Sequence, residues 1–176
     1  KLLGDSDYFN SFFSFVQFSD TTETAEQLIR SYFHGQCCEN KSLATFVNED
    51  PIALAYTLAL ITCNSRESIT PPWVLHRFPN VERYLFQLRS DPCLPGCAYC
   101  NQSFDAAQGL NQFFGFPSFR EFDGIPLQEQ AVNAALRNKS ILAIFPTGGG
   151  KSLTYQVPAL MAGKNAHALT VIISPL

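Results

Sequence analysis

At 176 residues, with 46% apolar content and 16 phenylalanines, the chain has room for one domain or two small ones and ample material for a core. A net charge of −3 and a pI near 5.5 give no overall basic footprint of the kind that announces a nucleic-acid surface. The longest apolar run, Ile52 to Thr62, is too short and interrupted to span a bilayer, and no charged-then-apolar leader is expected from the residues that open at Lys1.

In chain order, the first predicted helix runs from Thr22 to Phe33 and ends near Gly35, with Ala25, Leu28, Ile29 and Phe33 on one face. Asp50 followed by Pro51 reads as an N-cap and a first-turn proline. The helix they open, through Ile61, is apolar on most faces and therefore expected to be buried. Thr70-Pro71-Pro72 opens a helical turn over Trp73 to Phe78, and Asn80 is expected to cap Val81 to Leu88. Trp73 and the phenylalanines at 9, 12, 13, 15 and 18 read as core, while Glu82, Arg83, Arg89 and Asp91 read as solvated. From Phe104 the pattern changes. Asp105 caps a predicted helix to Phe114 with Gly115 at its end, and Pro126 starts another through Arg137. A strand, Ile141 to Phe145, then a glycine loop, a helix from Lys151 to Met161 and a turn at Gly163-Lys164-Asn165 lead into a second strand, Leu169 to Ser174. Strand, helix, strand with apolar strands implies a parallel, right-handed βαβ unit. The expected organisation is a helical region with a cysteine cluster over 1–104 and the truncated start of an α/β domain over 105–176.

The loop Thr147-Gly148-Gly149-Gly150-Lys151-Ser152 carries the chemistry. Glycines let a backbone approach phosphate oxygens with no Cβ in the way, and successive N–H groups plus the positive end of the next helix then point at the anion. Lys151 is placed to reach the β and γ phosphates of a nucleotide and the Ser152 hydroxyl to ligate Mg²⁺. The first glycine of the full spacing rule is replaced by Phe145, but the strand and helix flanks are those the motif requires.

The cysteines form a second constellation. Cys93, Cys97 and Cys100 stand as Cys-x3-Cys-x2-Cys around Pro95 and Gly96, with Cys63 upstream and Cys37 and Cys38 further back. Closely spaced thiols on a Pro/Gly loop converge on one ion, and structural zinc takes four N or S ligands. Cys63 is the first choice for the fourth, ahead of His76 and Cys37. An iron–sulfur cluster on four cysteines, the three-cysteine cluster of radical SAM enzymes, and unliganded buried thiols are the competing readings.

The flanks of the loop bring a resemblance into view. Phe114-Gly115-Phe116-Pro117-Ser118-Phe119-Arg120, Gln128 at 23 residues before Lys151, Leu153 to Leu160, and Val171-Ile172-Ile173-Ser174-Pro175-Leu176 resemble, in order, four segments of RecQ-family superfamily 2 helicases. The resemblance covers little more than a third of the chain. It implies a RecA-like domain, ATP and Mg²⁺ as ligands, DNA as a partner, roles in repair and recombination, and an intracellular (nucleoid-associated if bacterial) setting. By the same resemblance Gln128 reads the adenine edge and Ser174-Pro175 begins a loop gripping the DNA backbone. Glu121 to Ile125 lengthen the stretch between Arg120 and Gln128 beyond the family's usual spacing, which weakens any role carried over to Arg120. Between Ser152 and Leu176 there is no Asp or Glu, so the carboxylates that would orient Mg²⁺ and activate water are not among these residues. The expectation is a fragment of an ATP-dependent DNA helicase that does not hydrolyse ATP on its own. The alternatives are a metal-stabilised interaction module with a non-catalytic nucleotide segment, and a P-loop kinase.

Overall fold

The computed structural model describes residues 26–27, 29–31, 35–62, 72–93, 96–166 and 168–173. The phenylalanine-rich start, Leu28, Phe33, His34, Cys63, Thr70-Pro71, His167 and Ser174 to Leu176 lie outside them. The chain divides into two compact units, Lys1–Arg89 with Cys97–Tyr99, and Ser90–Gly96 with Cys100–Leu176.

The first unit is built on α1 (Leu43–Glu49), α2 (Pro51–Thr62), α3 (Pro72–Arg77) and α4 (Asn80–Arg89). Asp50 caps α2 as the sequence predicts: its Oδ1 accepts the Ala53 N–H at 3.0 Å and its carbonyl the Leu54 N–H at 3.1 Å. A helix apolar all round has to be enclosed, and Ala53, Leu54, Ala55 and Leu58 of α2 are fully buried, with α4 packed against it. Phe46 of α1 stacks on Tyr84 of α4 with ring centroids 4.3 Å apart. Thr57, a fully buried polar side chain of α2, satisfies its hydroxyl on the Ala53 carbonyl at 2.8 Å.

Three local expectations are corrected. Asn80 is the first residue of α4 rather than a residue ahead of it, and its amide donates to Asp50 Oδ2 at 3.1 Å, tying the starts of α2 and α4 together. Trp73 is 56% exposed, its indole edge-on to Tyr56, because Val74 takes the inward face of α3. Arg83 is exposed as expected while pairing with Glu49, whereas Arg89 is half-buried, donates to the Gln36 carbonyl at 2.8 Å and lies over the Tyr99 ring.

Glu26 anchors α1 from a distance. Ser42, at the N-cap position of α1, makes no side-chain cap bond. The Glu26 carboxylate supplies it instead, accepting the N–H groups of Leu43 at 3.2 Å and Ala44 at 3.1 Å while pairing with Arg30. Burial pushes this carboxyl upward, but the Arg30 hydrogen bond and charge with the two N–H donors outweigh it, so its pKa falls below the ordinary 4.5. A depressed carboxylate contributes stability that is present above the ordinary value and lost as pH falls through the folded one. The first unit is therefore expected to lose thermal stability on acidification below about pH 4.5. Glu26→Gln should flatten that dependence, and an unchanged acid limb in thermal melts of the variant would remove Glu26 from the account.

The second unit rests on α6 (Ala106–Phe114), α7 (Leu127–Leu136) and α8 (Leu153–Ala166), with α5 (Ala98–Ser103) preceding them in the chain. Asp105 caps α6 through the Gln108 N–H at 2.9 Å, and Gly115 ends it at φ 70°, as predicted. The three helices pack on one another around Leu110, Val132, Val157 and Met161. Gly109 leaves room for α8 against α6: a Cβ there would lie 2.3 Å from Met161 Sδ. The helix α8 is longer than expected. It runs through Gly163-Lys164-Asn165 to Ala166, and Asn165 donates to the Ser103 carbonyl at 2.7 Å. Pro158 sits inside it.

Residues 141–145 and 169–173, which carry the two expected strands apart from Ser174, form no ladder among the described residues. The pairing found there is an isolated antiparallel bridge, Phe122 with Ile125, around the positive-φ pair Asp123-Gly124. A strand needs neighbours to satisfy its backbone groups. Apart from the buried Phe145, the large apolar side chains of both segments stand in the open, with Leu142, Leu169 and Ile173 at about nine-tenths exposure.

Candidate functional site

The glycine loop lies in the second unit, at the N-terminus of the 14-residue helix α8. Gly148 and Gly150 have φ of 76° and 69°, conformations that a side chain disfavours. Gly149 is needed for a different reason: a Cβ there would come within 2.8 Å of the Pro146 carbonyl. Lys151 and Ser152 are exposed directly ahead of α8, with their side chains open to solvent. A backbone stripped of Cβ atoms, a helix N-terminus behind it and a free ammonium beside it suit an anionic phosphate chain.

Gln128 is brought to the same loop from the first turn of α7. Its side chain is fully buried, and its amide donates to the carbonyls of Gly149 at 2.8 Å and Gly150 at 3.2 Å. Its Oε1 accepts the Arg120 N–H at 2.9 Å, and the Arg120 guanidinium donates to the Gly148 carbonyl at 3.3 Å. Phe145, standing where the full motif has glycine, is buried with its ring 5.5 Å from that of Phe122. The extra residues between Arg120 and Gln128 thus form a short turn that rests, through Phe122, on the segment leading into the loop.

Among the described residues, the expected Cys93, Cys97 and Cys100 come together with Cys38. The sulfurs of Cys38, Cys93, Cys97 and Cys100 lie within 4.8 Å of one another, and those of Cys93 and Cys100 are 3.5 Å apart. Cys63, expected as the fourth, lies outside the described residues, and His76 is exposed on α3. Cys37 is buried but not part of the group, and its burial pushes the thiol up to about 11. The Glu39 N–H donates to Cys97 Sγ at 3.4 Å, the kind of outer contact that orients a thiolate ligand. Four sulfurs this close can bind a metal ion.

Residues 125–176 match the family model described as DEAD/DEAH box helicase, a stretch that includes Gln128, the glycine loop and α8. That part of the chain is similar to DEAD/DEAH box helicases. The "ATP-dependent helicase SGS1" of Saccharomyces cerevisiae is 46% identical over 67 residues, which are 38% of this chain and 4% of that protein. The "ATP-dependent DNA helicase RecQ" of Haemophilus influenzae is 45% identical over 67 residues, 38% of this chain and 9% of the relative. The human "ATP-dependent DNA helicase Q4" is 45% identical over 69 residues, 39% and 5% respectively. The matched stretch is thus similar to RecQ-type helicases, and the chain covers under a tenth of the length of each of these relatives. No solved structure matches. No helix among the described residues is long and apolar enough to cross a membrane.

Proposed function

We propose that this chain carries the phosphate-binding half of the ATP site of a RecQ-type, ATP-dependent DNA helicase. The observation that supports it most is the loop itself: positive φ at Gly148 and Gly150, no space for a Cβ at Gly149, and Lys151 and Ser152 exposed at the start of α8. Lys151 holds the β and γ phosphates, Thr147 and the N–H groups of Gly148 to Gly150 surround them, and Ser152 binds the Mg²⁺ that accompanies them. ATP bound there supplies the energy that the full-length protein couples to translocation on DNA. These residues contribute positioning and charge complementarity, which is most of what phosphoryl transfer asks of a protein. DNA and ATP as partners follow from the same reading. Lys151→Ala is expected to weaken Mg·ATP binding by at least about a hundredfold, because a charge-assisted contact to phosphate is removed from a site with no other free cation in the loop. Titration of the purified protein with a fluorescent ATP analogue tests it, and an affinity within threefold of the parent would overturn the reading.

The second element is a structural zinc ion on Cys38, Cys93, Cys97 and Cys100. With Zn–S bonds of about 2.3 Å in a tetrahedron, ligand sulfurs sit about 3.8 Å apart. Mutual distances up to 4.8 Å, with one pair at 3.5 Å, fit a single ion. An iron–sulfur cluster interposes several atoms between its cysteines and holds them further apart.

A further inference from the structure

The segment that carries the clustered cysteines is fastened to the two helices that present Gln128 and the glycine loop. Asn138, just past the end of α7, donates its side-chain amide to the Ser90 carbonyl at 2.8 Å. Asn165, in the last turn of α8, does the same to the Ser103 carbonyl at 2.7 Å. Ser90 and Ser103 bracket Cys93, Cys97 and Cys100 in the chain. Asn138 holds φ 55°, a left-handed conformation that asparagine tolerates better than most side chains, so the way α7 ends aims its amide. A further tie starts at Cys100 itself: its carbonyl accepts the Phe104 N–H at 3.0 Å, and Phe104 packs against the three-helix core. Between these ties the segment stands off α7. Pro92, Cys100 and Asn101 line, with Glu129 and Asn133 of α7, a cavity of about 360 Å³. The segment is thus held to α7 there by its ends rather than by packing along its length.

We propose that metal binding and ATP binding are coupled through Asn138 and Asn165. The helices α7 and α8 present Gln128 and the glycine loop at their N-terminal ends, and the two asparagines hold the opposite ends. A helix carries a restraint along its axis as a stiff element, so fixing the last turns of two packed helices fixes how their first turns meet the loop. The other side of each tie depends on the ion. A short thiol-bearing segment with a six-residue helix has no preformed structure without its metal, and metal binding supplies its folding free energy. With the ion bound, the Ser90 and Ser103 carbonyls are fixed and both ties are made. Without it the ties are lost, and α7 and α8 regain freedom that ATP binding must then remove. The asparagines are positioning residues and lie outside the phosphate site. The inference rests on the zinc and ATP-site readings above and adds the link between them. Linkage makes it reciprocal: Mg·ATP tightens zinc by the factor by which zinc tightens Mg·ATP.

The test measures Mg·ATP affinity of the full-length protein, zinc-loaded and stripped with a zinc-selective chelator, for the parent and for the double variant Asn138→Gly with Asn165→Ala. Glycine keeps the left-handed backbone at 138 and alanine keeps the helix at 165, so the variant deletes the ties and little else. Stripping zinc from the parent is expected to weaken Mg·ATP about five- to tenfold, and Mg·ATP to tighten zinc by the same factor in a chelator competition, as two modest hydrogen bonds are lost or made. In the double variant zinc should change Mg·ATP affinity by less than about twofold. A stripped parent that binds Mg·ATP within about twofold of the loaded one overturns the coupling. A double variant that keeps the parent's zinc dependence overturns the role of the asparagines, since a purely structural role lowers the melting midpoint and leaves that dependence intact. The two underlying readings fail separately, in zinc-loaded protein: zinc content unchanged by Cys97→Ser ends the metal reading, and Mg·ATP affinity unchanged by Lys151→Ala ends the phosphate-site reading, whatever the asparagines do.

Discussion

Cys97→Ser is expected to reduce bound zinc from one ion per chain to less than about a tenth and to destabilise the cysteine-bearing segment. The magnitude follows from what such an ion contributes. Structural zinc in small metal-nucleated domains binds with an apparent free energy of about 10–16 kcal/mol, and that energy is folding energy because the unfolded chain has no preformed site. Losing one thiolate of four leaves an open coordination position and a site that no longer holds zinc against chelator. The segment around it has little else to rely on: α5 is six residues long, and helices that short do not persist without tertiary anchorage. Cys37→Ser should leave zinc content intact, because Cys37 is outside the group, and so should Cys63→Ser if Cys38 is the fourth ligand. Elemental analysis of the purified protein with these variants decides it. Metal content unchanged in both Cys93→Ser and Cys97→Ser would eliminate the site, and visible absorbance with iron in place of zinc would replace the ion by a cluster.

What the sequence made legible is local. Asp50, Asp105 and Gly115 announce helix ends because capping depends on side-chain chemistry and φ within a few residues. The glycine loop is legible for the same reason, its function being written in backbone freedom and one cation. What stayed hidden depends on partners far along the chain. Cys38 is 55 residues from Cys93, and nothing in spacing points to its place beside the expected trio. Glu26 replaces Ser42 as the acceptor for the first N–H groups of α1, from 17 residues before Leu43. The turn expected at Gly163 is overridden by Asn165 anchoring α8 to Ser103. Trp73 looks like core by composition, yet a six-residue helix has one inward face, and Val74 occupies it. Gln128 was legible as a residue of the site through family resemblance, but its engagement with Gly149 and Gly150 is a matter of three-dimensional placement alone.

Leu110→Ala should cost about 2–5 kcal/mol, the range for emptying a fully buried leucine site, and in this unit that is a large share of what holds it together. The second unit has one small core, shared by α6, α7 and α8, and Leu110 sits in it fully buried beside Val132 and Val157. Its apolar segments at 141–144 and 169–173 contribute almost nothing to burial, since most of their side chains face solvent. The three-helix core is therefore the platform for the whole site: α7 presents Gln128 and α8 presents its N-terminus to the loop. A cavity at Leu110 loosens all three helices, so Leu110→Ala should lower ATP affinity through the folded fraction alone, with no group of the site touched. Leu110→Met, which conserves volume, should cost less than about 1.5 kcal/mol and keep ATP binding near the parent. Denaturant unfolding followed beside ATP titration separates the cases. A Leu110→Ala variant within about 1 kcal/mol of the parent would mean that the helices are held by something other than this core.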